Sequence, residues 1–180
     1  MRNKYRRIEP VKPSVFPSNI NDVYDSIAPY VPTPLRVVRR MLECAGLKTG
    51  DILFDLGCGD GRIVLMAAQE FGAKGFGVDL IGQLIQEAKR KAVTLGINDD
   101  VEFIRGNLFD VDLSSTDVVT MYLLKNSTEK VRIKLEKELK QGAKVVTLNY
   151  PIIKWTTDEV IEIDDENSKY LIYIYHWKLK

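Results

Sequence analysis

From residue 33 onward the apolar positions change period repeatedly. Leu35, Val38, Met41, Leu42 and Ala45 recur at helical spacing. Thr33 and Pro34 ahead of them predict a threonine cap with proline at the first helical position, and Gly46 predicts the end. Ile52–Leu56 reads as a buried strand. A helix over Gly61–Phe71 follows, with Ile63, Val64, Ala67 and Ala68 inward. Strand Gly75–Asp79, helix Leu80–Leu95 ending at Gly96, and strand Val101–Arg105 continue the alternation. Asp117–Tyr122 reads as a strand buried on both faces. Asn126–Leu139 is an amphipathic helix with Val131, Leu135 and Leu139 on one face, and Gly142–Tyr150 is a fifth strand. Strands alternating with helices predict a doubly wound α/β fold, a parallel sheet with helices on both faces. The last two strands, Val160–Ile163 and Tyr170–Trp177, are joined by a short polar link, so they form an antiparallel hairpin and bring the sheet to seven strands.

Residues 1–27 differ from this pattern. Arg2, Lys4, Arg6, Arg7 and Lys12 alternate with Pro10, Pro13 and Pro17, a composition with little to bury. They read as a basic tail ahead of one domain over 28–180, whose first stretch is stiffened by Pro29, Pro32 and Pro34. The whole chain has 180 residues and a net charge of +1, so no global basic field calls for nucleic acid. Two cysteines, Cys44 and Cys58, and a single histidine, His176, make neither a disulfide framework nor a Cys/His metal site; no metal is expected. No apolar run reaches the ~18 residues of a membrane span, and no secretory h-region follows the basic start. The expected location is the cytoplasm.

The chemistry gathers where the first strand ends. Asp55-Leu56-Gly57-Cys58-Gly59-Asp60-Gly61-Arg62 is a glycine-rich strand-to-helix turn, the place where doubly wound sheets bind ligands. The glycines stand at 57, 59 and 61, and Arg62 occupies the third glycine of a dinucleotide fingerprint. Asp55 and Asp60 flank the turn and would repel a pyrophosphate. A cationic ligand without phosphate suits it better, and S-adenosylmethionine, with a sulfonium and an ammonium, is one. Asp79 ends the second strand, placed to accept both ribose hydroxyls of an adenosine, and it fits NAD as well as S-adenosylmethionine. Asn107 and Leu108, after the third strand, are placed to read the adenine edge and cover its face; the same residues also make a plain turn.

These motifs, in this order, resemble the class I (seven-strand) S-adenosylmethionine-dependent methyltransferases with their Rossmann-like sheet. Tyr30-Val31-Pro32-Thr33-Pro34 and Val119-Thr120-Met121-Tyr122-Leu123-Leu124, together with the glycine turn, Gly77-Val78-Asp79 and Gly106-Asn107-Leu108-Phe109, narrow the resemblance. The chain is most similar to the small archaeal protein-lysine methyltransferases of broad specificity. It is also similar to their mitochondrial relatives, which act on the c-ring protein of ATP synthase and the adenine nucleotide translocase. The resemblance runs from about Tyr30 to Trp177. It implies protein-lysine N-methylation with S-adenosylmethionine as cofactor and S-adenosylhomocysteine as product. It implies protein partners with exposed lysines, and neither membrane nor nucleic acid.

The resemblance also implies residue roles. Thr33, Asp55, Gly57, Cys58, Gly59, Asp79, Leu80, Asn107, Leu108 and Tyr122 would hold the cofactor. Tyr122 would line the methyl-transfer channel, Tyr30 would close over the methionine half, and Trp155 would wall the lysine channel, although an indole there also serves as a plain apolar plug. His176 reads as structural. The acids around the last hairpin, from Asp158 to Glu166, either attract lysine-rich substrates or guard a sheet edge. A small-molecule or RNA methyltransferase on the same fold, and a cofactor-binding module without turnover, remain the alternatives.

Overall fold

A computed structural model describes residues 30–165 and 168–178; the tail predicted over 1–27 lies outside them. The elements run α1 (Leu35–Cys44), β1 (Ile52–Leu56), α2 (Arg62–Phe71), β2 (Lys74–Asp79), α3 (Gly82–Leu95), β3 (Val101–Arg105), β4 (Val118–Met121), α4 (Lys125–Glu138), β5 (Lys144–Leu148), β6 (Glu159–Asp165) and β7 (Ser168–His176). The strands form one seven-stranded sheet in the order β3-β2-β1-β4-β5-β7-β6. The first five are parallel, and β7 runs antiparallel to both β5 and β6. The predicted elements are all present, with ends shifted by a few residues.

The two faces are covered unequally. Val38, Met41, Val64, Leu65, Ile85 and Ala88 place α1, α2 and α3 on one face. The other face has α4 among the described helices, which buries Val131 and Leu135 against Val119, Val145 and Tyr175. Apart from exposed Ile133 the rest of α4 is polar, so those two side chains, at about 1.5–3 kcal/mol each, do much to hold it to the sheet. No described helix lies between β3 and β4, and none is long and apolar enough to cross a membrane.

Two expectations change. Pro34, not Thr33, is the N-cap of α1, and it makes no side-chain cap. Thr33 precedes a proline, which holds it extended, and its side chain is buried. Ala68 is only partly buried, whereas Arg62 to Ala67 are buried throughout, because α2 is sandwiched between the sheet and its helical neighbours. The acidic strand β6 is the outer strand of the sheet; Asp165 pairs with Arg36 at 2.5 Å and Glu162 with Lys169 at 2.7 Å. Exposed charges on an outer strand discourage pairing with another sheet.

Candidate active site

Strand order reverses between β1 and β4, which open toward opposite sides of the sheet. Ligands of doubly wound folds sit beyond the carboxyl ends of the strands at such a point. A cavity lies there, lined by Tyr30–Thr33, the glycine turn, Asp79–Ile81, Gly106–Phe109, Tyr122 and Leu123. Tyr30, Thr33, Asp55, Gly57, Cys58, Gly59, Asp79, Leu80, Asn107, Leu108 and Tyr122 all line it. Trp155 does not. Its ring stacks on Trp177 at 4.9 Å, meets Tyr175 edge-on at 5.6 Å, and its indole N–H donates to Glu136. These partners place it on the α4 face, so it is a packing residue there and not a wall of the site.

The glycine turn is drawn tight onto β2. The N–H groups of Gly57 and Cys58 donate to the Val78 carbonyl at 2.9 and 3.0 Å, and that of Gly59 donates to Asp79 Oδ2 at 2.9 Å. Gly57, Gly59 and Gly61 all have positive φ, a region that favours glycine. A Cβ at Gly59 would stand 2.6 Å from the Tyr30 ring, so the turn and the Tyr30 loop are in direct contact. These three donors are therefore spent inside the protein. A phosphate would find none of these three N–H groups, which supports a ligand without phosphate on firmer ground than charge repulsion.

The repulsion argument itself fails for Asp60. This carboxylate is 1% exposed and neutralised. It accepts from Arg62 Nε and Nη2, both at 2.8 Å, and from Lys91 Nζ at 2.7 Å. Arg62 donates onward to the Thr33 carbonyl at 2.7 Å and the Tyr30 hydroxyl at 3.3 Å. Arg62 is thus the bolt between the Tyr30 loop, the glycine turn and, through Asp60, α3. The sequence showed an arginine in place of a glycine; a lone charge among the buried residues of α2 was its signal. Burial and the Asp60 charge push the Tyr30 phenol well above its ordinary range, so it stays protonated as a wall of the cavity.

Two carboxylates remain to meet a ligand. Asp79 accepts from Gly59 N–H through one oxygen and from Ile81 N–H at 2.8 Å through the other. A carboxylate has about four lone-pair sites, so capacity for a diol remains. Burial raises its pKa, offset in part by those backbone bonds. Asp55 is 2% exposed and accepts from the Thr120 hydroxyl at 2.8 Å. Burial pushes its carboxyl up to about 7, against the Thr120 bond and with help from Asp79 and Asp60. A cation placed beside it would favour its ionised form. Asn107 is exposed, and its side-chain oxygen accepts from Phe109 N–H at 3.0 Å, so it does make the plain turn; Leu108 is buried. His176 lies at the opposite end of the sheet, its ring 3.2 Å from Asp158.

Two residues outside the predicted set support the site. Lys134 is buried on α4 and donates to the carbonyls of Phe109 and Val111 and to Glu138, pinning the loop that carries Asn107 and Leu108. Asn149, after β5, donates to the Tyr122 hydroxyl at 3.1 Å.

Comparison with known proteins agrees with this geometry. The profile of the ANTKMT methyltransferase domain matches residues 55–159. A protein-lysine N-methyltransferase of Saccharolobus islandicus is 46% identical over 148 residues, 82% of this chain and 92% of that protein. The adenine nucleotide translocase lysine N-methyltransferase of Mus musculus is 32% identical over 133 residues, 74% of this chain and 58% of that protein. Among solved structures, an RNA methyltransferase from Salinibacter ruber in complex with S-adenosylhomocysteine has a TM-score of 0.78 and 39% identity, over 83% of this chain and 95% of that one. With that sheet and that sequence match, the chain belongs to the ANTKMT methyltransferase family, on the fold of the S-adenosylmethionine-dependent methyltransferases.

Proposed function

We propose that this chain is a protein-lysine N-methyltransferase of broad specificity that takes its methyl group from S-adenosylmethionine. The residues fit that cofactor. Asp79 would hold the ribose hydroxyls, Leu80 and Leu108 the adenine faces, with Asn107 at its edge. Asp55 would meet the cationic half beside Gly57, Cys58 and Gly59, with Tyr30 and Thr33 closing that end. When bound, S-adenosylmethionine supplies a methyl group on a sulfonium for in-line transfer to a neutral nucleophile.

The protein's part is to bring in the amine and keep it neutral. A lysine of pKa ≈ 10.4 costs ~4.6 kcal/mol to deprotonate at pH 7, at about 1.36 kcal/mol per pH unit. Apolar surroundings lower that cost by disfavouring the ammonium. Tyr122 and buried Leu123 line the cavity, Val31 on its wall is 50% exposed, and Leu124 next to Leu123 is 43% exposed. Such a rim suits the four-carbon lysine stem. Alignment of the nucleophile supplies much of the remaining acceleration.

The observation that carries the lysine reading is the 46% identity to the archaeal protein-lysine N-methyltransferase along 92% of its length. One observation favours a second reading: the Salinibacter ruber neighbour at 39% identity is an RNA methyltransferase. Methyl-labelled S-adenosylmethionine incubated with the protein and a whole-cell extract separates the two. The label is expected in protein, and in methyl-lysine after hydrolysis; label confined to RNA would overturn the acceptor. The unpaired thiols Cys44 and Cys58 suit a reducing compartment, which supports a cytoplasmic enzyme.

A further inference from the structure

Asn149 has a φ of +61°, in the left-handed region that asparagine and glycine tolerate best. It stands one residue beyond Leu148, the last residue of β5, which pairs with Ile172 of β7. Its main-chain N–H donates to the Leu171 carbonyl at 2.7 Å, and the Leu171 N–H donates to its side-chain oxygen at 3.0 Å. The left-handed turn takes its own carbonyl away from the ladder, and the side chain substitutes for it. Glycine would satisfy the backbone alone. Asparagine adds a fixed amide.

That amide can point only one way. Leu171 N–H is a donor and nothing else, so it must face the amide oxygen. The amide NH2 then faces the Tyr122 hydroxyl, 3.1 Å away, and that oxygen must accept. Tyr122 lines the cavity, and one lone pair and the hydroxyl proton of its phenol have no other hydrogen-bond partner among the described residues. Burial, with Tyr170 and Tyr150 nearby, keeps the phenol protonated. A neutral amine donates N–H and needs its lone pair free. A hydroxyl oxygen that accepts one amine N–H, held still by a sheet-anchored amide, aims that lone pair.

We propose that Asn149 is a positioning residue for methyl transfer, anchored by β7 and acting through Tyr122 to orient the acceptor amine. The inference rests on the methyltransferase reading with an amine acceptor, whether that amine belongs to a lysine or to a nucleobase.

The test is a double-mutant cycle on the full chain with N149G, Y122F and the double variant, read on whichever acceptor the wild type labels. Glycine accepts the backbone conformation. N149D is the second variant, since it keeps the Leu171 bond but offers Tyr122 no N–H. One net hydrogen bond corresponds to up to about tenfold in rate. We expect N149G and N149D each to lower kcat five- to tenfold, with calorimetric affinity for S-adenosylhomocysteine unchanged. N149G should cost nothing further in Y122F. Independent, multiplying losses, an unchanged kcat, or a loss appearing only in cofactor affinity would overturn the assignment. A wild type that labels RNA would refute the lysine reading while leaving this cycle decisive for Asn149.

Discussion

Asp55→Asn separates what the active-site acid does for binding from what it costs the fold. The Asp55 carboxyl is pushed up to about 7 from an ordinary 3.8, mainly by burial. The folded pKa is raised, so the protonated form stabilises the native state. That stability is fully present below the unfolded pKa and is lost as pH rises through about 7. The shift corresponds to about 4 kcal/mol, gained as a penalty across pH 4 to 8. Asparagine keeps an oxygen for the Thr120 hydroxyl and carries no charge. Relative to the variant, the wild-type protein without ligand should therefore lose about 4 kcal/mol between pH 4 and 8. In a chain of 180 residues that is on the order of 10 °C in Tm. Urea denaturation of both proteins across that range measures it. Cofactor binding should move the opposite way. A cation prefers the carboxylate, so wild-type affinity for S-adenosylmethionine should weaken as pH falls below 7, while the variant binds weakly at every pH. Parallel stability curves for the two proteins would refute the reasoning.

Three further outcomes follow from the same geometry. Arg62→Met strips the Thr33 carbonyl, the Tyr30 hydroxyl and Asp60 of a buried partner, and should cost roughly 3–5 kcal/mol in denaturant titrations; a loss under 1 kcal/mol would contradict the bolt. Lys134→Met frees the loop of Leu108 and should weaken S-adenosylhomocysteine affinity about tenfold by calorimetry, with kcat at saturation preserved. Trp155→Ala should cost about 2 kcal/mol of stability and leave turnover within about twofold, because its ring packs on Tyr175 and Trp177; a tenfold fall in kcat would return it to the acceptor channel.

The parts of this molecule that depend on period and neighbouring residues were readable in the chain. Buried parallel strands announce themselves as short apolar runs, and the hairpin as alternation around a polar link. The glycine turn and Asp79 were readable because left-handed backbone and a strand-end acid are local features. What escaped is long-range pairing. Asp60 showed its sign and its neighbour Arg62 but not its second cation, since Lys91 lies a whole strand and helix away. Arg62 showed a departure from a glycine pattern but not the two loop atoms it holds. Trp155 sits in a loop that reads equally as a channel wall or a plug, and its stacking partners are more than 15 residues downstream. Asn149 left a trace, an asparagine just past a strand and before Tyr-Pro, yet its bond to Tyr122 exists only once β5 and β4 are neighbours.

The central claim is that the cavity at the β1–β4 switch moves a methyl group from S-adenosylmethionine to a lysine amine. Mass spectrometry of a synthetic peptide with a single lysine, incubated with the enzyme and cofactor beside an acetyl-lysine twin and RNA, tests it most directly. The mass increment of a methyl group on the free-lysine peptide, absent from the twin and the RNA and lost with Asp79→Asn, is the predicted result. Methylated RNA beside an unmodified lysine peptide would contradict the account.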